Sequence, residues 1–372
     1  MPSVSLLIKP ASSSCNMRCR YCFYADVASR REIANYGIMS PENLEIIVRK
    51  VLEYADGEAN FGFQGGEPTL AGLDFFRHLT ALQKKYNTRG TVIHNALQTN
   101  GLAINEDWAR FLHDHHFLVG LSLDGNKEIH DKYRLDSAGE GTFDRVLAAA
   151  KLMDRFQVEY NILSTVNLDV AKNIDRIYYF FKKQRFRYLQ FIPCLDELNG
   201  EPREYSLTPE AYGEFLIRLF RLWYVDLSSG RPVSVRYFDN LLMMLGGYPP
   251  ESCGMAGVCG SYYMIEADGS AYPCDFYVTD EWRIGNILTD GLEEMRHSET
   301  ARQFLEASRP VAEECRSCPY YRLCRGGCRR NREPLIPGGN NLNKLCPAFR
   351  AFFEYALPDL EKAARRFLPG RG

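Results

Sequence analysis

Hydrophobic and polar positions change period repeatedly over the first two-thirds of the chain. Short apolar or alternating runs at Ser5–Lys9, Asn60–Gln64, Thr91–Gln98, Phe117–Leu123, Val158–Val166 and Tyr188–Ile192 predict strands. Between them, apolar spacings of three and four predict helices over Pro41–Ala55, Leu73–Tyr86, Glu106–His115, Thr142–Phe156, Val170–Lys183 and Pro209–Tyr224. Ser40 and Asn105 stand at N-cap positions, and Pro41 takes the first helical position. Six strand–helix units in series predict an α/β fold with a parallel sheet. That number suits an open or partial (β/α)6 barrel, two units short of a closed one. A doubly wound sheet is the alternative, although no G-x-G-x-x-G follows a strand.

The pattern changes after about Ser228. Pro249-Pro250 and scattered glycines punctuate the chain, and helical spacing returns only at Leu292–Ser308 and Ala348–Phe367, with Pro369–Gly372 a frayed end. A boundary therefore falls between Leu227 and Pro250, drawn here as 1–232 and 233–372. The second part is loop-rich with few core residues, a type of module that metal usually holds together.

Composition narrows the class. With 372 residues, 45% hydrophobic and 25% charged, the chain is globular and long enough to bury a core without covalent staples. A net charge of −2 gives no global attraction to nucleic acid or an anionic membrane. No apolar stretch reaches a membrane span, and the N-terminus reads as a strand rather than a secretory signal. The expected compartment is the reducing cytoplasm, where clustered cysteines bind metal or catalyse more often than they pair.

There are twelve cysteines, and they are grouped. Cys15, Cys19 and Cys22 form C-x3-C-x2-C after the first strand; Cys253, Cys259 and Cys274 lie in the loop-rich part; Cys315, Cys318, Cys324 and Cys328 form C-x2-C-x5-C-x3-C, with Cys346 beyond and Cys194 alone. Three thiolates can hold three irons of a four-iron cluster and leave the fourth open to an exogenous ligand. A zinc site would need a fourth protein ligand, and the nearest histidine in sequence is His78.

Cys15-x3-Cys19-x2-Cys22, with Tyr21 and Phe23 around the last cysteine, resembles the signature of the radical S-adenosylmethionine (SAM) superfamily. Gly65-Gly66-Glu67-Pro68, at the end of the second strand, is similar to the GGEP element of that superfamily. The resemblance implies that the open iron binds SAM, whose reductive cleavage gives methionine and a 5′-deoxyadenosyl radical. It implies that Glu67 meets the methionyl amine while the Gly65-Gly66 turn lets backbone approach the ligand, that Ser122 and Arg134 hold the SAM carboxylate, that Tyr21 lies near the adenine and that Leu195 contacts SAM. Without the resemblance, Ser122 is a strand-end hydroxyl and Arg134 a surface arginine.

The cysteines from Cys253 to Cys328, with Cys346, number eight, enough for two closed four-iron clusters. Their spacing resembles the SPASM module of some radical SAM enzymes. Carried across, that resemblance gives one auxiliary cluster Cys253, Cys259, Cys274 and Cys328, and the other Cys315, Cys318, Cys324 and Cys346. The total implied is three [4Fe–4S] clusters. The rival is a pair of zinc ribbons binding nucleic acid, with Arg316, Arg322, Arg325, Arg329 and Arg330 as the local positive charge.

Longer strings refine the family. Gln64–Gly72 (QGGEPTLAG), Leu97–Gly101 (LQTNG), Val119–Gly125 (VGLSLDG) and Tyr272–Tyr277 (YPCDFY) together resemble the anaerobic sulfatase-maturating enzymes, over about Leu6 to Ala356. The resemblance implies oxidation of a cysteine or serine in a C/S-x-P/A-x-R motif of an unfolded or nascent sulfatase to Cα-formylglycine. Hydrogen leaves Cβ of the target, an electron passes to an auxiliary cluster, and the thioaldehyde formed from cysteine hydrolyses. Asp275 matches the family's proton acceptor; without the family it is a loop carboxylate capping backbone amides. Tyr24, Gln64 and Gln98 are expected in the substrate pocket. A low-potential donor such as flavodoxin or ferredoxin is implied, with no nucleic-acid or membrane partner. A different SPASM peptide maturase, forming thioether crosslinks, is the nearest alternative.

Overall fold

The computed structural model describes residues 3–198, 200–260, 262–335 and 341–367. The expected frayed end at 369–372 lies outside them. In chain order the strands are β1 (Val4–Ile8), β2 (Glu58–Phe63), β3 (Val92–Thr99), β4 (Leu118–Ser122), β5 (Tyr160–Val166), β6 (Tyr188–Pro193), β7 (Ser234–Val235), β8 (Tyr263–Ile265), β9 (Ser270–Tyr272) and β10 (Gly285–Asn286). Strands β1 to β6 alternate with helices as the pattern predicts, giving the α/β class with partial (β/α)6 organisation. The chain forms two compact units: residues 1–122, 130–161 and 261–304, and residues 123–129, 162–260 and 305–372.

In the first unit the strand order is β10-β9-β8-β1-β2-β3-β4. β1, β2, β3 and β4 are mutually parallel, with Leu6 opposite Phe61 and Leu97 opposite Val119. β8 adds to the other side of β1 in parallel, Leu6 opposite Tyr263. The helix Pro41–Tyr54 starts where Ser40 accepts a hydrogen bond from the Asn43 amide, and Glu106–Asp114 starts where Asn105 accepts from Trp108. Burial of Ile47, Val48 and Val51 on one helix face, and of Phe61, Phe63 and Phe76 beside the sheet, forms the core. Each such side chain contributes about 1.5–3 kcal/mol. Phe76 meets Phe63 and Trp108 edge-on, each at 5.2 Å between ring centroids.

In the second unit β5, β6 and β7 are parallel, and the helix Pro209–Ser228 packs against the helix Cys346–Phe367. Gly213 allows the close approach: a Cβ there would lie 3.3 Å from the Ala348 Cα. Phe238 sits among Phe220, Trp223 and Phe352 at 5.1–5.7 Å. This packing fixes the helix that begins at Cys346.

Two expected helices are broken. Val170–Lys183 is two helices, Leu168–Lys172 and Ile174–Lys183, because the Asn173 side chain bonds the Asp169 carbonyl at 2.9 Å and competes with the backbone ladder. Leu292–Ser308 divides into Leu292–Arg296 and Glu299–Ala307, with Ser298 accepting from the Ala301 amide. Apolar spacing continues across both breaks, so periodicity alone does not show them.

Candidate active site

The C-x3-C-x2-C loop leaves β1 and is held by backbone. The Gly66 amide donates to the Ser12 carbonyl (3.0 Å), the Glu67 amide to Ser14 (2.7 Å) and the Gln64 amide to Ile8 (3.0 Å). The Gly-Gly-Glu segment therefore runs directly alongside the residues leading into Cys15. Only glycine fits at position 66, where a Cβ would stand 2.0 Å from the Ser14 carbonyl oxygen. On its far side the loop is tied to the segment carrying Arg134: the Arg18 amide bonds Leu135 (2.7 Å) and the Arg20 amide bonds Tyr133 (3.0 Å). Those bonds bring Tyr21 and Arg134 together, with the guanidinium over the Tyr21 ring at 5.5 Å. Arg134 and Ser122 are both buried, so neither is a surface group.

Cys15, Cys19 and Cys22 are half-buried, and Cys22 occupies the N-cap position of the helix Phe23–Ser29. Burial pushes the Cys15 thiol up to about 11. The Asn100 side chain reaches back to Asn16 at 2.7 Å.

Glu67 is 1% exposed. Its Oε1 accepts from the Thr69 amide (3.1 Å), the Thr69 hydroxyl (2.6 Å) and the Thr99 hydroxyl (2.7 Å), and its Oε2 from the Asn100 amide (2.8 Å). Burial raises its pKa, and these donors oppose the rise. A carboxylate oxygen offers about two acceptor sites. Oε1 is thus filled by this chain's own groups, and Oε2, with one donor, keeps spare acceptor capacity. Thr69, Thr99 and Asn100 are partners of Glu67 that pattern reading did not single out, although they lie within the QGGEPTLAG and LQTNG strings.

A second constellation forms around Asp275, directly after β9 and Cys274. Its Oδ2 accepts from the Tyr24 hydroxyl (3.3 Å) and the Gln64 side-chain amide (3.2 Å). Its Oδ1 accepts from the Tyr262 hydroxyl (3.1 Å). Tyr24, Gln64 and Asp275 come from three separate segments and converge on one carboxylate. Burial raises the pKa of both Asp275 and Tyr24. Gln98 lies on β3 opposite Gly120 and makes no described bond to this group. Tyr262 had no sequence signal. Beneath the group, buried Glu266 accepts from Lys9 at 2.5 Å and from Arg31, and the Lys9 ammonium lies 5.6 Å from the Tyr24 ring.

In the second unit, Cys315, Cys318, Cys324 and Cys346 line a single cavity with Tyr321, Phe349 and Phe353. Four thiols in one cavity are the donor set a four-iron cluster takes, although among the described residues no group of three or more His, Cys, Asp or Glu is placed to hold a single metal ion. Gly257 ends the short helix Cys253–Ala256 in the left-handed region (φ 74°), and a Cβ there would lie 1.9 Å from the Arg325 carbonyl. Gly254 faces the Cys328 Cβ, so Cys253 and Cys328 belong to adjoining turns. Leu195 follows β6 half-buried, and Cys194 beside it is a buried thiol. Cys274 lies in the first unit.

Comparison with known proteins agrees with this geometry. Residues 10–174 match the radical SAM superfamily and residues 253–319 an iron–sulfur cluster-binding domain. The chain is 51% identical over 368 residues to the cysteine-type anaerobic sulfatase-maturating enzyme of Clostridium novyi (strain NT), covering 98% of each. It is 31% identical to the serine-type enzyme of Bacteroides thetaiotaomicron, covering 96% of this chain and 90% of that one. A solved structure described as native anSMEcpe with bound AdoMet and Cp18Cys peptide superposes with a TM-score of 0.94 at 47% identity, covering 98% and 99%. These matches set aside both the zinc-ribbon and the crosslinking readings. The chain belongs to the anaerobic sulfatase-maturating enzymes, radical SAM oxidoreductases that carry a SPASM iron–sulfur domain.

Proposed function

We propose that this enzyme is of the cysteine type, converting a cysteine in a C-x-P-x-R segment of an unfolded sulfatase to Cα-formylglycine. The support is identity: 51% to a cysteine-type relative against 31% to a serine-type one, and a near-identical fold in a structure whose description names a Cys peptide. The observation that carries the chemistry is the buried Asp275 carboxylate, held by Tyr24, Gln64 and Tyr262.

SAM, bound at the open iron of the cluster on Cys15, Cys19 and Cys22, supplies a hydrogen-abstracting radical when cleaved by one electron. In this reading Glu67 Oε2 and Gly66 hold the methionyl amine, Ser122 and Arg134 the carboxylate, Tyr21 the adenine, and Leu195 an apolar side of the ligand. Asp275 takes the thiol proton from the target residue as its Cβ is oxidised. Tyr24, Tyr262 and Gln64 fix the direction of the carboxylate, and Gln98 borders the substrate. The ligand sets Cys253, Cys259, Cys274, Cys328 and Cys315, Cys318, Cys324, Cys346 bring the total to three [4Fe–4S] clusters. A division at 232/233, a cytoplasmic location and a flavodoxin or ferredoxin donor complete the proposal. Among the described residues no helix is long and apolar enough to cross a membrane.

The test is anaerobic incubation of reconstituted enzyme with SAM, reductant and matched peptides containing C-x-P-x-R or S-x-P-x-R. Mass spectrometry is expected to show loss of about 18 Da from the cysteine peptide, the thiol-to-aldehyde change, well before loss of about 2 Da from the serine peptide. Faster conversion of the serine peptide would overturn the cysteine assignment.

A further inference from the structure

The turn after Cys328 carries three buried arginines with different surroundings, of which Arg330 donates to the Asp196 carbonyl at 2.7 Å. Arg329 is paired with Glu333 at 3.3 Å. Arg332, 7% exposed, has no carboxylate partner among the described residues, and its Nε is buried without an acceptor. Its terminal nitrogens donate to three carbonyls: Ser308 (2.9 Å), Gly257 (3.2 Å) and Pro310 (3.2 Å). Those carbonyls belong to the segments that lead to two cluster cysteines. Gly257 stands two residues before Cys259, and the Ser308 hydroxyl accepts the Cys259 amide at 3.0 Å. Pro310 stands five residues before Cys315, and Arg332 and Cys315 line the same cavity.

A buried charge without a counter-charge is costly, and three neutral carbonyls do not balance it. Arg332 shares a cavity with Cys315, and its carbonyl partners sit on the segments leading to Cys259 and Cys315. A four-iron core carries less positive charge than its four thiolates carry negative, so a loaded cluster is a net anion.

We infer that Arg332 is the buried counter-cation of the two auxiliary iron–sulfur clusters, raising their reduction potentials so that they accept the electron released when substrate Cβ is oxidised. Nearby positive charge favours the more negative, reduced state, and net charge and burial are the protein's levers on cluster potential. The inference rests on the assignment of Cys259 and Cys315 as cluster ligands.

The experiment uses full-length, anaerobically reconstituted Arg332→Gln and Arg332→Lys, with iron counted and midpoints read by electron paramagnetic resonance during a reductive titration. Arg332→Gln is expected to move the auxiliary midpoints to lower potential while the SAM-binding cluster keeps its own. Arg332→Lys, which retains charge and loses the fork, is expected to stay close to the native midpoints. Retained iron with native midpoints in Arg332→Gln would overturn the inference, as would an equal shift in Arg332→Lys. Loss of iron in Arg332→Gln but not in Arg332→Lys, with native midpoints in the latter, supports it. Loss in both assigns Arg332 to tying carbonyls and overturns it. Iron in the native protein tests the underlying ligand assignment separately: about four irons per chain in place of about twelve would refute that assignment whatever Arg332 does.

Discussion

The two cysteine-bearing regions are built differently. The loop around Cys15, Cys19 and Cys22 is held from both sides by backbone hydrogen bonds, to Gln64–Glu67 and to Tyr133–Leu135, and it hangs from a strand in the middle of the first unit's sheet. The region from Cys315 to Cys328 has four-residue helices, Glu313–Arg316 and Tyr321–Cys324, and Cys315, Cys318 and Cys324 line a cavity. Helices this short have no stability of their own. On the proposed ligand sets, iron would be an addition to a finished structure in the first region and a structural component in the second.

Replacing ligands in each region would break or sharpen that contrast, and these variants carry the largest expected effect. Cys15→Ala/Cys19→Ala/Cys22→Ala is expected to lose all product and all SAM cleavage and about four irons, with its thermal midpoint within a few degrees of native. Cys315→Ala/Cys346→Ala is expected to lose about four irons as well, and in addition protection of residues 305–335 from limited proteolysis. Equal proteolytic protection in the two variants would remove the distinction.

Next in size is Asp275→Asn. The amide keeps the shape and can still bond Tyr262, but it cannot take a proton. Product is expected to fall at least about a hundredfold, the ordinary scale of a positioned acid or base, while 5′-deoxyadenosine formation and iron content persist. Native turnover in this variant would exclude Asp275 as the proton acceptor. The contrast here is with the cysteine triplet, where radical generation itself is lost.

How much of this was legible in the sequence follows from length scales. Six strands and most of their helices show in the periodicity because each spans enough residues to repeat a pattern. β8, β9 and β10 do not, since two or three residues carry no period and all of β8 and β9 is buried. The helix Arg236–Leu245 was hidden among turn residues. Cysteine spacing exposed the metal chemistry, and the GGEP string exposed the close backbone approach at Gly66. Contacts between distant segments were invisible: Tyr262 to Asp275, and Arg332 to Gly257 and Ser308, have no local signature. Asp275 was legible only through the YPCDFY string, because burial, not local sequence, shifts its pKa upward.

Gly66→Ala tests the backbone half of the contrast. The added methyl would overlap the Ser14 carbonyl, so the cysteine loop or the Gly-Gly segment must shift. Overpacking of this kind costs about 1–3 kcal/mol. The expected outcome is weaker SAM binding by equilibrium dialysis, roughly tenfold, with intact auxiliary clusters. Unchanged SAM affinity would show that the loop tolerates displacement and is less rigidly held than its hydrogen bonds imply.

The smallest effect is expected from Tyr262→Phe. Its hydroxyl donates to Asp275 Oδ1 at 3.1 Å, whereas Tyr24 and Gln64 both serve Oδ2. Removing the hydroxyl leaves the carboxylate buried and still oriented by two donors, so one net hydrogen bond of about 0.5–1.5 kcal/mol is lost. That corresponds to a fall in product formation of roughly twofold to tenfold, with SAM cleavage unchanged. Tyr24→Phe removes a donor from the oxygen that retains Gln64, and its effect is expected to be no larger. If Tyr262→Phe instead abolishes product as Asp275→Asn does, the phenol is itself part of the proton path, and the distinction drawn here between an acceptor and the groups that aim it fails.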